Sequence, residues 1–345
     1  MSLAIFIKFL TDIWRRGCAG WWGASDWRWG AWAVLLLLWL PVAGVQAQGW
    51  PARPVRVVVP YPAGQGTDVA TRYLAEQLSR SLGQNFVVEN RPGAGGNIGT
   101  QQVARSPADG YTLLMGTNGT HAAAPFLYQN PGFDPLADFD PIALIGVLPL
   151  VFVAAPGNAV DGVASLVAAA RGRPGALNVA YTTTTSRSAL ELLRQQGDAP
   201  LFGVAYKGSS QAIADVVGGQ VEFMVDTIAS LRGAVTGGRL KALGVTSATS
   251  GRLLPGVRSV AEQGISGFEI TGWNLLYAPR GTPPAAIQTL GEAIVRVMAL
   301  AETQDKLLQL GIEPLVSTGE PLARFVVAER DKWGAVIRAS GIRAE

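Results

Sequence analysis

Val55-Arg56-Val57-Val58-Val59-Pro60-Tyr61-Pro62-Ala63-Gly64-Gln65-Gly66-Thr67-Asp68 is the stretch on which the fold turns. Val55–Val59 is β-branched and nearly all apolar, as a strand covered on both faces requires. Pro60–Gly66 is a turn, after which Thr67 or Asp68 can cap a helix. Ala70, Leu74, Leu78 and Leu82 recur at four-residue spacing and give that helix one apolar face, which Gly83 ends. Phe86–Val88 reads as the next strand, Arg91–Gly96 as a loop and Asn97 as the start of a second helix. Tyr111–Met115 reads as a third strand with Gly116–Thr120 as its exit loop. This βαβαβ order predicts a parallel sheet wrapped by helices.

Downstream the pattern repeats. Ile142–Val147 and Leu150–Ala155 read as two apolar strands split by Leu148-Pro149. Strands follow near Leu177–Tyr181, Phe202–Tyr206, Val221–Val225 and Leu240–Val245, with helices near Ser188–Gln195 and Ser209–Val217 between them. The last part reads as helices near Pro283–Ala299, Glu302–Leu310 and Pro321–Ala339. Two α/β series in succession predict two similar lobes, with a cleft lined by the loops at the carboxyl ends of the strands. Such clefts hold small molecules.

Upstream the composition changes sharply. Eight of the ten Trp lie at or before Trp50. A basic segment (Lys8, Arg15, Arg16, Arg28 against Asp12 and Asp26) precedes the apolar run Ala31–Leu40, and Val45-Gln46-Ala47 offers small residues at a cleavage site. Residues 1–47 therefore read as a secretory signal peptide. The apolar run is shorter than the roughly 20 residues a membrane span needs, and an uncleaved anchor is the alternative reading. Removing the segment leaves a nearly neutral chain without cysteine, suited to an oxidising compartment, and an exported bacterial chain would work in the periplasm.

Composition excludes several function classes. At 48% hydrophobic and 15% charged residues the chain is globular, and 345 residues suggest two domains. One His and one Cys cannot build a structural zinc or two-metal site, so no metal is expected. A net charge of +3 without a basic stripe argues against a nucleic-acid partner. The dinucleotide fingerprint fails because Val69 and Ile98 stand where Gly is needed, and no phosphate loop ending in Gly-Lys-Ser/Thr is present. No cofactor is expected.

The loops after the strands carry the functional signal. Ala63–Asp68 presents backbone N–H groups at a helix start, where the dipole favours an anion. Thr117-Asn118-Gly119-Thr120 and Thr182–Ser186 are hydroxyl-rich strand exits that can bind a carboxylate or cap helices. Asp226 ends a strand and can accept from a ligand or cap the helix that begins near Thr227. His121 is the one imidazole, but no nucleophile motif accompanies it, and no catalytic residue is expected.

Several long words in this sequence then carry a resemblance. Val57–Gly64 with Thr67-Asp68 is followed by Val88-Glu89-Asn90-Arg91-Pro92-Gly93-Ala94-Gly95-Gly96-Asn97-Ile98-Gly99 and by Pro107–Thr117. Tyr206-Lys207-Gly208-Ser209, Gly218-Gly219-Gln220-Val221 and Gly281-Thr282-Pro283-Pro284 come later. The chain resembles the Bug-type solute receptors of tripartite tricarboxylate transporters, nearly end to end after the signal segment. The resemblance implies a two-lobed periplasmic binding protein of Venus-flytrap type, each lobe a mainly parallel sheet flanked by helices. Lobe 1 would be 48–147 plus 273–345 and lobe 2 would be 148–272. It implies a monomeric, non-enzymatic receptor that closes on a small organic acid (a di- or tricarboxylate, an acidic amino acid or an aromatic acid) and delivers it to membrane permease subunits. A sensing receptor acting on a membrane sensor, or an enzyme on the same scaffold, is the alternative.

By the same resemblance, ligand would be bound from lobe 1 by Tyr61, Ala63, Gly64, Gln65, Thr67, Asp68, Thr117, Asn118 and Thr120, and from lobe 2 by Thr183, Thr184, Ser186 and Asp226. The chain departs from the family pattern in three places. Gln65 stands where the family commonly repeats Gly, Thr182–Ser186 lacks the usual Gly and runs into Arg187, and Asp226 is followed by Thr227 where many members have Asn. Arg187 has two readings, a bidentate clamp for a further carboxylate or a solvent-facing side chain.

Overall fold

A strand that is apolar at four of five positions must find a core on each side, and Val55–Val59 (β1), apolar except at Arg56, does. Val55, Val57 and Val59 share a core with Ala70, Leu74 and Leu78 of helix α1 (Gly66–Leu82). Val58 faces the opposite core with Val103 of α2 (Asn97–Ala104). The period of two thus divides one valine run between two cores. The computed structural model describes residues 49–343, and the expected signal segment 1–47 lies outside the described residues.

β1 pairs in parallel with β2 (Phe86–Asn90) and β3 (Thr112–Thr117), as the βαβαβ order predicts. The exit of β3 is a wide single turn, Asn118–Ala123, running into the short helix α3 (Ala124–Leu127). Next comes β4, Phe139–Ala154, one sixteen-residue strand where the sequence reads as two. Leu148-Pro149 does not break it, because the proline stands where the strand changes partners. Pro149 is the last residue in register with Thr271, and Leu150 the first in register with Thr227. A residue without an N–H is tolerated at such a transfer point.

The second series comprises α4 (Val163–Gly172), β5 (Asn178–Tyr181), α5 (Thr184–Gly197), β6 (Phe202–Ala205), α6 (Ser209–Val217), β7 (Phe223–Thr227), α7 (Ile228–Thr236) and β8 (Lys241–Val245). The chain then returns through β9 (Thr271–Pro279), α8 (Pro284–Met298), α9 (Ala301–Gln309), β10 (Glu313–Ser317) and α10 (Gly319–Ser340). β9 and β10 were not expected from the sequence, nor was α4.

The result is two α/β lobes that share β4. The first sheet runs β2-β1-β3-β9-β4 with β10 on β4, and the second runs β6-β5-β7-β4 with β8 also on β4. Parallel pairing is confined to β2-β1-β3 and β6-β5-β7, while every pair made by β4 and β9 is antiparallel. The sheets are therefore mixed, a refinement of the mainly parallel expectation, because the chain re-enters each sheet from the far end. α10 packs against Asn118–Ala123 and β4 and also against α5, so it touches both lobes. Its buried Glu329 accepts from the indole N–H of Trp273 at 2.9 Å and of Trp333 at 3.2 Å, and Lys332 pairs with it. Trp333 on the helix and Trp273 on β9 are thus tied through one acid.

Candidate functional site

The turn after β1 is held from behind. Asp68, 2% exposed in the first turn of α1, accepts from the Gly64 N–H at 2.8 Å, from Asn90 Nδ2 at 2.8 Å and from Arg72 Nε at 3.1 Å. Asn90 Nδ2 also donates to the Tyr61 carbonyl at 3.0 Å. Gly64 has φ +85, a conformation other residues rarely adopt. The expected cap at Thr67 or Asp68 is corrected: Gln65 is the N-cap and the helix begins at Gly66. Asp68 instead reaches back to fix the loop.

Burial works to raise the Asp68 pKa, but the Gly64, Arg72 and Asn90 hydrogen bonds outweigh it and hold it below the ordinary aspartate value. A lowered native pKa contributes stability that is complete above the ordinary range and is lost as pH falls through the native value. Thermal unfolding of the protein and of Asp68→Asn, followed from about pH 5 to about pH 2, should therefore converge: the wild-type advantage shrinks as the medium becomes more acid.

The exit of β3 is organised in the same way. Tyr61 OH lies 2.7 Å from Thr117 Oγ1. The Thr117 N–H donates to Thr120 Oγ1 at 3.1 Å, and that hydroxyl lies 2.9 Å from His121 Nδ1. His121 is fully buried and stacks on Tyr277 at 3.9 Å between ring centroids. Burial lowers its pKa to about 3, so the ring is a neutral packing element at physiological pH.

In the second lobe Thr183 caps α5. Ser186 N–H donates to Thr183 Oγ1 at 3.1 Å, and the Thr183 N–H donates back to Ser186 Oγ at 2.9 Å, a reciprocal box. Asp226, 2% exposed, collects Thr182 Oγ1 at 2.7 Å, Ser209 Oγ at 2.7 Å and the Thr227 N–H at 2.7 Å. It ties together the ends of β5 and β7 and the start of α6. The cap of α7 is Thr227, which accepts from Ser230 N–H at 3.3 Å, rather than Asp226.

These loops meet around a cavity of ≈300 Å³. Tyr61, Gln65, Thr67, Thr117, Asn118 and Gly119 line it from the first lobe, and Thr183, Thr185 and Thr227 from the second. Leu148, Gly272, Trp273 and Asn274 close it where β4 and β9 pass between the sheets. Asn118 Nδ2 donates to Thr185 Oγ1 at 3.1 Å across the cleft. No charged side chain is among the described residues that line it. An anion here would meet hydroxyls, amides and helix starts rather than a formal positive charge. A larger groove of ≈860 Å³ lies between α8 and the start of α10, but none of these loops reaches it.

Six of the sequence-derived candidates line the cavity: Tyr61, Gln65, Thr67, Thr117, Asn118 and Thr183. Asp68, Thr120, Ser186 and Asp226 are buried behind its wall, where they bond to the lining loops. Ala63, Gly64 and Thr184 are exposed and do not line it, and Arg187 lies over the Tyr181 ring, 6.0 Å from its centroid, also off the wall. The β9 residues Trp273 and Asn274 were missed. A polar residue inside a run as apolar as Leu275–Ala278 was the available signal.

Two α/β lobes sharing a through-strand and meeting at a small polar cleft have the architecture of a two-lobed solute-binding protein. The chain belongs to the tripartite tricarboxylate transporter receptor family (TctC), which it matches over residues 70–342. It is 33% identical to an R. palustris protein solved with adipate, with a TM-score of 0.71 over 85% of this chain and 99% of that one. The periplasmic binding protein BugD is likewise 33% identical, with a TM-score of 0.67 over 86% and 100% of the two chains. MatC from Rhodopseudomonas palustris, solved with bound malate, is 30% identical, with a TM-score of 0.65 over 84% and 100%. The Bug-type resemblance read from the sequence is thereby established.

Proposed function

We propose that this chain is an exported, monomeric receptor that binds a small carboxylate between its lobes and delivers it to the permease subunits of a tripartite transporter. Residues 1–47 would direct export to the periplasm, 48–147 with 273–345 would form lobe 1, and 148–272 lobe 2. The observation that carries the reading is the uncharged cavity into which loops from both lobes converge. The adipate and malate held by two relatives support the ligand class. A receptor rather than an enzyme fits a wall whose one ionisable group is the Tyr61 phenol, its pKa raised by burial. Closure would be a population shift, with ligand binding the closed state better than the open one.

The test is a thermal-shift screen of protein refolded to strip bound acids, against citrate, malate, succinate, adipate, aspartate, glutamate, nicotinate and benzoate. Ligand at about 1,000 times its dissociation constant stabilises by roughly 4 kcal/mol. An upward shift of several degrees with at least one acid is expected. A flat response to the whole panel, with citrate and the diacids at millimolar concentration, would count against the reading.

A further inference from the structure

β9 passes through the middle of the first sheet, with Trp273, Leu275, Leu276, Tyr277 and Ala278 all buried and apolar or aromatic. Asn274 interrupts them. It is 1% exposed, in register with Thr117 of β3 on one side and Gly146 of β4 on the other. Its side chain lines the cleft. Thr67 Oγ1 donates to Asn274 Oδ1 at 3.2 Å, which orients the amide. Asn274 Nδ2 is left buried with no acceptor among the described residues. A buried amide donor without a partner is unfavourable, and nearly all such groups in folded proteins are satisfied. An acceptor that enters the cleft beside Asn274 can satisfy this one.

The rest of the wall says where. Besides Asn274 on the first lobe, the lining carries the hydroxyls of Thr183 and Thr185 at the start of α5 on the second, while Thr67 has spent its proton on Asn274. Leu148 and Trp273 add apolar wall where β4 and β9 pair. A molecule that fits has a short apolar middle and an oxygen acceptor at each end.

We propose that Asn274 is a specificity-determining residue that donates its amide N–H to a carboxylate at one end of the ligand, so that the cleft selects diacids over monoacids of the same chain length. The proposal rests on the carboxylate-receptor reading above. A hydrogen bond to a charged group accounts for about a tenfold to hundredfold change in affinity.

The experiment titrates stripped protein calorimetrically with two matched pairs, succinate against butyrate and adipate against hexanoate, and repeats this on Asn274→Leu and Asn274→Asp. The expected result is that the parent protein prefers a diacid to its monoacid by at least about tenfold. Asn274→Leu loses that preference, and a circular dichroism spectrum and cooperative melt like the parent's show that the variant folds. Asn274→Asp is nearly isosteric and can still accept from Thr67, but it turns a donor into a charge and loses diacid binding further. Equal binding of diacids and monoacids by the parent, or an undiminished diacid preference in Asn274→Leu, overturns the role of Asn274 and leaves the receptor reading intact. Failure of the parent to bind any of the four acids, or any acid of the thermal-shift panel, overturns both.

Discussion

Trp273→Ala should unfold about 10 °C below the parent protein and lose most of its affinity for ligand. Three consequences of one truncation add. The indole is fully buried, and removing such a side chain costs about 3–5 kcal/mol through lost burial and the cavity left behind. Its edge-to-face contact with Phe325, 5.9 Å between ring centroids, goes with it. Glu329, itself 5% exposed, keeps Lys332 and Trp333 but loses the N–H at 2.9 Å. Because Trp273 also forms the cleft wall beside Asn274, the vacated volume loosens the site as well as the core. Trp273→Phe narrows the comparison: it keeps an aromatic ring on the wall while removing the hydrogen bond and part of the indole's volume, and a smaller loss of Tm is expected. Differential scanning calorimetry with and without ligand reads both. A Trp273→Ala protein as stable as its parent would mean that β9 is not fastened to α10 through Glu329.

Asp226→Ala should cost roughly hundredfold in ligand affinity and about 2–3 kcal/mol in stability. The carboxylate is the common acceptor for the Thr182 and Ser209 hydroxyls and the Thr227 N–H. Without it those donors turn away or remain unsatisfied, and the Thr183–Thr185 and Thr227 sides of the cleft lose their shared anchor. The cost falls on positioning, because Asp226 does not line the cavity. Asp226→Asn keeps one acceptor oxygen and should fall between the two. Calorimetric titration beside a thermal melt makes the distinction: a stability loss with unchanged affinity would show that the cluster holds the lobe but not the binding loops.

The lobes were legible where local chemistry is strong. Val55–Val59 has, Arg56 apart, the apolar, β-branched composition of a strand covered on both faces, and α6 begins at Ser209 and ends at Val217 as its pattern predicts. β10 escaped because Leu315 and Val316 are exposed on an edge strand containing Pro314, which offers no alternation to read. β9 escaped because both its faces are buried, so it carries no period of two, and Asn274 stands where a core residue would. The split of β4 at Leu148-Pro149 followed from proline's usual behaviour in strands, and only the change of partners at that residue reverses it. Within the site, the loops after β1, β3 and β5 could be named from their Gly, Thr and Ser content. What could not be named was which member faces the cavity: Asp68 and Asp226 look like ligand contacts in sequence, yet each spends its oxygens on its own loops. Asn274 meets Thr67 only after the whole second lobe has been traversed, and no local pattern encodes that meeting.

The place of β9 also sets an order of assembly. It lies between β3 and β4 in space but follows the entire second lobe in the chain. The strands β5 to β8 and their half of β4 are contiguous, so that sheet has all its parts once Val245 is available. The first sheet has to wait for Thr271–Pro279, and until then the facing edges of β3 and β4 are unpaired. Contacts of such long sequence separation form late, and open edges invite wrong partners meanwhile. A chain emerging amino end first from a ribosome therefore cannot lock its leading lobe before Thr271–Pro279 has followed. That delay leaves the edges of its early strands open for as long as the second lobe takes to emerge.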